Sequence, residues 1–389
     1  MNDSTSISSL CAAIQVEGLD GWLFYNFKHR DPLADELLGI SPKQTNSRPW
    51  IYVLFNQEEP LKIVHAIEAT ILDHLPGKTV LYQSQEELER ALDRVRGKRL
   101  ALHVDEALPV VSFVEGGFLK RLERHQISIV SAAPLIQRCK GLLDQEGIQS
   151  HGRAAHALYD IVHDTWAFIS YHYKQKKLLT EGMIQRYIQD SFGKRGLITD
   201  HPPIVAAGAH SGDPHYDPRG EGTPLGEGDV VQLDLWAKEK HSGAVYADIS
   251  WVGVFGPSAT KEQEELFMTL IEGRERALSF ISASLSSGRR PQGLEVDRVV
   301  REFFVERGVG SALKHRTGHG IDTECHGSGV NLDSVEFPDH RLLLDGSCFS
   351  IEPGLYFERF GFRTEIDVYL WEGRTYVSGK ERQYEFLRV

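Results

Sequence analysis

The sequence predicts two consecutive domains, an N-terminal α/β domain over residues 1–140 and an α+β domain over residues 141–389. The length of 389 residues exceeds that of most single domains. In the first part, short β-rich runs alternate with amphipathic helical patterns, and in the second part long helical patterns alternate with antiparallel strand pairs. These three observations define the expected fold class.

The N-terminal domain is predicted from five apolar runs of strand length and one clear helical pattern. The runs cover residues 22–27, 50–55, 61–67, 99–104 and 127–130, and the helical pattern covers residues 85–95. The composition becomes charged after Leu135, which places the domain boundary near Lys140.

The second domain is predicted from four helical patterns and two strand pairs. The helical patterns begin near Gly152 and at Thr180, and two more cover residues 261–281 and 294–307. Residues 230–237 and 245–255 form the first strand pair, and residues 348–351 and 362–370 form the second. Helices and hairpins therefore alternate twice.

Charge and cysteine content exclude several functional classes. With 43 Lys and Arg against 55 Asp and Glu, the formal net charge is −12, which opposes binding to nucleic acid or to an anionic membrane. The four cysteines show no C-x-x-C spacing, and the N-terminal residues lack the pattern of a signal peptide. We therefore expect a cytoplasmic protein without a nucleic-acid or membrane partner.

Carboxylates interrupt both predicted strand pairs. Asp234 and Asp248 lie in the first pair, and Glu352 and Glu365 lie in the second. Burial of one unpaired carboxylate costs several kcal/mol, whereas two divalent cations would balance four negative charges. His319, between two glycines, adds an imidazole. This donor set suits manganese best, and cobalt, zinc or iron also fit.

Other acids in this region fit a simpler role. A single acid in a strand usually faces water at an edge or a turn, and Asp322 and Asp367 match that description. The ordered set, rather than any one acid, indicates a dinuclear site.

The same motifs resemble those of the pita-bread metallopeptidases, the superfamily of methionine aminopeptidase, aminopeptidase P, prolidase and creatinase. The motifs are Leu-Asp-Leu, Ala-Asp-Ile-Ser, Gly-His-Gly-Ile, Ile-Glu-Pro-Gly and Phe-Arg-Thr-Glu-Ile-Asp. The resemblance implies a pita-bread catalytic domain after a creatinase-like N-terminal domain. It also implies two metal ions, with Asp234, Asp248, His319, Glu352 and Glu365 as ligands.

Further roles follow from the resemblance position by position. His215 matches a histidine that contacts the substrate, and His326 matches one that stabilises the tetrahedral intermediate. His315 resembles a proton-shuttle histidine of aminopeptidase P, and Tyr356 resembles its tyrosine near the metals. Arg363 resembles the substrate-binding arginine of the proline-specific branch.

The expected function is a dinuclear metal-dependent exopeptidase that cleaves between an N-terminal residue and proline in a small peptide. Glu352 is the expected general base. Tyr356, Trp236 and Arg363 are expected to recognise the proline ring. The proline-specific relatives also imply a homodimer.

Two alternatives remain open. Trp236 and Trp251 replace residues common in the family, as does Gly327, which stands where a glutamate often follows the second histidine. These changes leave room for a broader hydrolase of other amides or phosphotriesters. The other alternative is a catalytically silent pita-bread module that binds peptides.

Overall fold

The computed structural model describes residues 6–389 and contains two compact units, divided between Lys140 and Gly141. The first unit is an α/β domain and the second is an α+β domain, which confirms the fold class predicted from the sequence. Among the described residues, no helix has the length and apolar character needed to cross a membrane.

The first unit is built on one mixed six-stranded sheet in the order β4-β3-β2-β1-β5-β6. Its elements are α1 (Ile7–Val16), β1 (Gly21–Asn26), α2 (Pro32–Leu38), β2 (Trp50–Phe55), β3 (Leu61–His65), β4 (Lys78–Tyr82), α3 (Gln85–Leu92), β5 (Arg99–Leu102), α4 (Gly116–Arg124), β6 (Ser128–Ser131) and α5 (Ala133–Cys139).

Both faces of this sheet are covered by helices. Trp22 and Phe24 of β1 pack in the core beneath α1, α2 and α5, whereas Leu23 and Tyr25 pack in the core beneath α3 and α4. Successive residues of a strand point to opposite faces, so β1 needs an apolar side chain at every position. This requirement explains its uninterrupted apolar run.

The second unit contains four long helices and three small sheets. Its elements are α6 (Gln145–Lys174), α7 (Glu181–Lys194), β7 (Leu197–Ile198), β8 (Ile204–Ala207), β9 (Val230–Glu239), β10 (Ala247–Val254), α8 (Lys261–Ser286), α9 (Gly293–Glu306), β11 (Cys348–Ile351), β12 (Gly354–Tyr356), β13 (Gly361–Arg363), β14 (Ile366–Trp371), β15 (Arg374–Val377) and β16 (Leu387–Arg388).

The strand pair β9–β10 forms the centre of a five-stranded sheet whose two faces differ. Leu233 and Leu235 of β9, with Ile249 of β10, pack against α6 and α7. The residues between them point away from these helices. The other face is therefore free to carry polar groups.

The second strand pair packs against the other two helices. Phe349 and Ile351 of β11 and Val368 of β14 share a core with residues of α8 and α9. Helix α8 begins with a capping box between Thr260 and Gln263, in which each side chain bonds the other's backbone N–H. Two layers of helices thus enclose the sheets.

Two boundaries differ from the sequence prediction. Helix α6 begins at Gln145 rather than near Gly152, because the Asp144 side chain accepts a hydrogen bond from Gly147 N at 2.8 Å and caps a polar first turn. The single strand predicted over residues 362–370 is two strands, β13 and β14, interrupted at Thr364 and Glu365. At this break the Glu365 N–H donates to Ser250 O of β10 at 3.2 Å instead of to its own hairpin.

Candidate metal centre

Asp234 and Asp248 lie on the polar face of the β9–β10 pair. In this antiparallel register Asp234 is opposite Ser250, and Asp248 is opposite Trp236. Because Asp248 and Ser250 are two residues apart on one strand, all these side chains share a face. Both aspartates are 5% exposed.

Glu352 and Glu365 lie at the interruption between the two short hairpins of the second strand pair. Strand β11 precedes Glu352 and strand β14 follows Glu365, and these two strands pair with each other. Strands β12 and β13 lie between the two glutamates and form the other hairpin. The Glu352 N–H donates to Thr317 O at 2.7 Å, and the Glu365 N–H donates to β10 as described above. At the break, the backbone N–H groups of the two glutamates therefore bond to neighbouring segments of the chain.

His319 is fixed by its backbone between two glycines. Its N–H donates to Ser350 Oγ at 3.0 Å, and its carbonyl accepts from Ser350 N at 2.9 Å. A Cβ atom at Gly318 would lie 2.0 Å from Ser350 O, so only glycine allows this approach. The Gly-His-Gly motif therefore has a structural cause.

These five side chains converge. Three groups of candidate ligand atoms, each group lying within 4.8 Å, are Asp234–Asp248–Glu365, His319–Glu352–Glu365 and Asp248–His319–Cys325. His319 Nε2 lies 3.5 Å from both Asp248 Oδ2 and Glu352 Oε1. Asp248, His319 and Glu365 each belong to two of these groups, so the three groups form one continuous cluster.

The electrostatics of these groups fit divalent cations. Burial, and then the neighbouring Asp234, raise the pKa of Asp248 well above its ordinary value. Burial, and then Asp248, do the same for Glu365. Asp248 Oδ1 and Glu365 Oε1 are buried without a hydrogen-bond partner among residues 6–389. Orphaned, mutually repelling carboxylate oxygens require a cation or protonation.

Sequence reasoning did not identify Ser250, which connects two of the acids. Its hydroxyl lies 2.8 Å from Asp234 Oδ1 and 2.9 Å from Glu365 Oε2, and it accepts a hydrogen bond from Arg363 Nε at 3.1 Å. One signal in the sequence could have identified Ser250. It lies two residues after Asp248, so its side chain is on the same face of the strand.

Asp367 and Asp322, expected to face water, are both 1% exposed. Asp367 Oδ2 accepts the Asp248 N–H at 2.8 Å, so it holds the backbone of a candidate ligand. Asp322 accepts the backbone N–H groups of Glu324 and Ser328 at 2.8 and 2.7 Å. Backbone donors offset part of the cost of burying both acids, whereas Asp367 Oδ1 is buried without a hydrogen-bond partner among residues 6–389.

Arg363 and Tyr356 border the acids. The Arg363 guanidinium forms a short ion pair with Asp234 and donates to the Tyr356 hydroxyl at 2.9 Å. The Tyr356 hydroxyl also lies 2.8 Å from His315 Nε2, and His315 Nδ1 lies 2.7 Å from Arg316 O. Burial, and then the charge of Arg363, lower the pKa of His315 to about 3, so the ring is neutral.

His326 lies beside His319, with ring centroids 4.3 Å apart at 76°. The charge of His319, and then burial, lower the pKa of His326 to about 3. A neutral imidazole near the ligands can donate or accept one hydrogen bond at each nitrogen.

A cavity of about 640 Å³ opens onto the candidate ligands. Its lining includes His215, Trp236, His315, His326 and Arg363. The Trp236 indole donates to Asp200 Oδ1 at 2.8 Å, which fixes its ring. Tyr356 contacts this group through His315 and Arg363.

The remaining departures from the family have separate causes. Trp251 is buried on the helix-facing side of β10, where its ring meets Tyr159 and His163 edge-on at centroid distances of 5.9 and 5.5 Å. At Gly327, a Cβ atom would lie 2.6 Å from the Asp322 carboxyl carbon. The carboxylate of Asp322 therefore occupies the space that a side chain at position 327 would need.

Comparison with known proteins places this fold. The Xaa-Pro dipeptidase of Pyrococcus furiosus is 30% identical over 185 residues, covering 46% of this chain and 48% of that protein. The chain thus spans about half the length of this curated relative. The structure of dipeptidase PepE from Mycobacterium ulcerans matches with a TM-score of 0.71 at 19% identity, covering 98% of this chain and 96% of that one. The prolidase of Thermococcus sibiricus matches with a TM-score of 0.61 at 24% identity, covering 100% of each chain.

The chain shares the fold of these solved structures, and its converging acids and histidine form candidate metal-binding groups. Residues 150–372 match metallopeptidase family M24, and the chain belongs to that family. The superfamily expected from the sequence motifs is thereby confirmed.

Proposed function

We propose that the protein is a dinuclear metal-dependent exopeptidase that hydrolyses the bond between an N-terminal residue and proline. The observation that carries this proposal is the convergence of five ligands at the wall of one cavity that also contains His215 and His326. The similarity to an Xaa-Pro dipeptidase over part of the chain supports the choice of substrate.

Five residues would hold the ions. One ion would be held by Asp234, Asp248 and Glu365. The other would be held by His319 and Glu352, together with Glu365 and Asp248, which would contact both ions. When bound, two divalent ions acidify a water molecule and polarise the carbonyl of the scissile bond. We retain manganese as the metal inferred from the five-residue set, with cobalt, zinc or iron as the other candidates.

Glu352 acts as the general base. Its side chain is 13% exposed, more than that of Asp234 or Asp248, and it lines the cavity. Its carboxylate accepts the proton of the attacking water and then delivers it to the leaving nitrogen. Ser350 Oγ, 3.3 Å from Glu352 Oε1, orients this carboxylate.

Imidazoles at the cavity wall position the carbonyl. His326 donates a hydrogen bond to the developing oxyanion, and His215, in the same lining, contacts the substrate. His315 is held between Tyr356 and Arg316 O, so it acts by fixing the Tyr356 hydroxyl or by passing a proton along that hydrogen bond.

Recognition of proline depends on shape, because the amide before proline has no N–H to donate. The indole of Trp236 presents a flat apolar surface in the cavity. Arg363 supports this wall together with Tyr356, since both are buried and hydrogen-bonded to each other. A homodimer in the cytoplasm, acting on small peptides, completes the proposal.

A substrate panel tests this function. Chelator-treated protein is reloaded with manganese, cobalt or zinc and assayed on Ala-Pro, Ala-Pro-Ala, Met-Ala and a phosphotriester. We expect metal-dependent release of the N-terminal residue from the proline peptides and little from Met-Ala. Faster turnover of Met-Ala or of the phosphotriester would contradict the proline assignment, and no turnover with any metal would contradict catalysis.

A matched pair of variants controls for the metal centre. Asp248→Asn removes a buried candidate ligand, whereas Asp190→Asn makes the same change at an exposed position of α7. We expect only the first change to abolish metal-dependent turnover.

A further inference from the structure

Cys325 lies among the candidate ligands but outside the set expected from the family. Its thiol donates a hydrogen bond to Asp248 Oδ2 at 3.1 Å, and the side chain is buried at the wall of the cavity. Its sulfur and the ligand atoms of Asp248 and His319 lie within 4.8 Å of one another. Ligands about 2.3 and 2.1 Å from one tetrahedral ion are roughly 3.5 Å apart, so the sulfur–oxygen distance suits a shared ion.

A second observation points to a ligand at the same place. Asp248 gives one oxygen to the thiol, and its other oxygen is buried without a partner in the described chain. The group around His319 thus contains an acceptor that no protein donor satisfies. A cation bound there would satisfy both the carboxylate and the sulfur.

A bound cation favours the thiolate form in this position. A thiol that coordinates a divalent ion loses its proton readily.

We propose that Cys325 is a direct ligand of the ion held by His319 and Asp248. As the ion binds, the S–H bond breaks, a sulfur–metal bond forms, and the proton leaves through the cavity to solvent. No oxidation state changes. This inference rests on the metal centre of the proposed function but not on the reaction catalysed there.

The thiolate changes which metal the site prefers. The five-residue donor set of oxygens and one imidazole fits manganese, whereas a thiolate beside an imidazole favours zinc, cobalt or iron.

Cobalt spectroscopy of the full chain tests this ligand. Thiolate bound to Co²⁺ gives an intense charge-transfer absorption in the near ultraviolet, which carboxylate and imidazole ligands do not give. We expect this band in the wild-type protein loaded with cobalt, and its loss in Cys325→Ala. Cys348→Ala is the matched control, because Cys348 is also buried but contacts His151 Nε2 at 3.7 Å and does not line the cavity.

Metal affinity gives a second readout. Changes to groups behind a ligand commonly cost about 10–100-fold in affinity, so loss of the sulfur should weaken zinc or cobalt binding by at least that factor. Manganese binding should change less, because manganese gains little from a soft ligand. Equal losses for zinc and manganese would contradict the proposal.

The wild-type spectrum decides the matter even if the alanine variant fails to fold. Stoichiometric cobalt without the band in wild-type protein would overturn the proposal, and so would a band that persists in Cys325→Ser. A protein that shows the band but cleaves none of the peptides would retain the ligand assignment and refute only the proposed function.

Discussion

Arg363 and Asp234 form an ion pair inside the candidate metal centre, with side chains that are 6% and 8% exposed. The guanidinium also lies 3.7 Å from Glu352 Oε2, so one cation serves two of the acids. Burial works against the charge of Arg363, but Asp234 and the other acids raise its pKa, so it stays protonated. Arg363 is thus the permanent counter-charge of the metal-free site.

Replacement of this arginine should expose the repulsion among the acids. We expect Arg363→Met to lower the free energy of unfolding of chelated protein by about 3–5 kcal/mol, because it leaves a buried charge unpaired. Bound metal should recover part of the loss. Urea unfolding with and without metal measures both values, and Arg359→Met, at an exposed pair with Glu262, should cost less than about 1 kcal/mol. Equal losses in the two variants would contradict this role.

Glu352→Gln tests the general base. It keeps the shape of the side chain but removes the proton acceptor, so kcat on Ala-Pro should fall by at least about 10²–10⁴-fold. Metal content should survive, since the other ligands remain. Metal analysis and turnover are measured on the same preparation, with the exposed Glu358→Gln as the control. Unchanged turnover would remove Glu352 from the mechanism.

The pH dependence of stability should report His151. Its nitrogens lie 2.7 Å from Tyr246 O and 2.7 Å from Ser378 Oγ, and burial lowers its pKa from 6.5 to about 4. Between these pH values the unfolded chain binds a proton that the folded chain does not, so this residue reduces stability as pH falls from 6.5 toward 4. The reduction is on the order of 3 kcal/mol.

The variant His151→Gln isolates this contribution. Other groups titrate in the same range, but their effects cancel when the wild-type and variant unfolding free energies are subtracted at each pH. The difference should shrink as pH falls through this window. Gln149→Ala, a change of a non-titrating side chain at an exposed position of the same helix, should show no such trend. A constant difference for His151→Gln would show that folding leaves the pKa of this ring unchanged and would contradict the prediction.

Two glycine substitutions should have opposite signs. Gly318→Ala places a Cβ atom 2.0 Å from Ser350 O and should cost about 1–3 kcal/mol or more, with weaker metal binding because His319 moves. Gly152→Ala lies within α6 with nothing within 4 Å of the new atom and should stabilise by about 0.5–1 kcal/mol. Thermal unfolding separates the two, and stabilisation by Gly318→Ala would contradict the assigned close approach.

Much of this architecture can be predicted from the sequence. Alternation along β9 separates Leu233 and Leu235 from Asp234, and this pattern predicts both the strand and the face that carries the acid. The capped start of α7 at Thr180 is equally local, because its hydroxyl accepts a hydrogen bond from Met183 N. Such features depend on neighbours close in sequence.

Other features depend on partners far along the chain. The interruption before Glu365 is stabilised by Ser250 O, and the burial of Asp367 is stabilised by the Asp248 N–H. The first turns of α6 are polar, so hydrophobic periodicity alone predicts a start of the helix that is too late in the sequence. Single-sequence patterns carry no information about a donor that lies more than one hundred residues away, as Asp248 does from Asp367 at a separation of 119.

The contact of Ser250 with Glu365 spans 115 residues and closes the acid cluster. A chain emerging from the ribosome therefore has the first two acids long before it has the residue that completes both ion sites. Contacts of such long range form late in folding. If this cluster binds ions as proposed, it captures them only once both strand pairs are assembled, so a loaded centre would mark a correctly finished second domain.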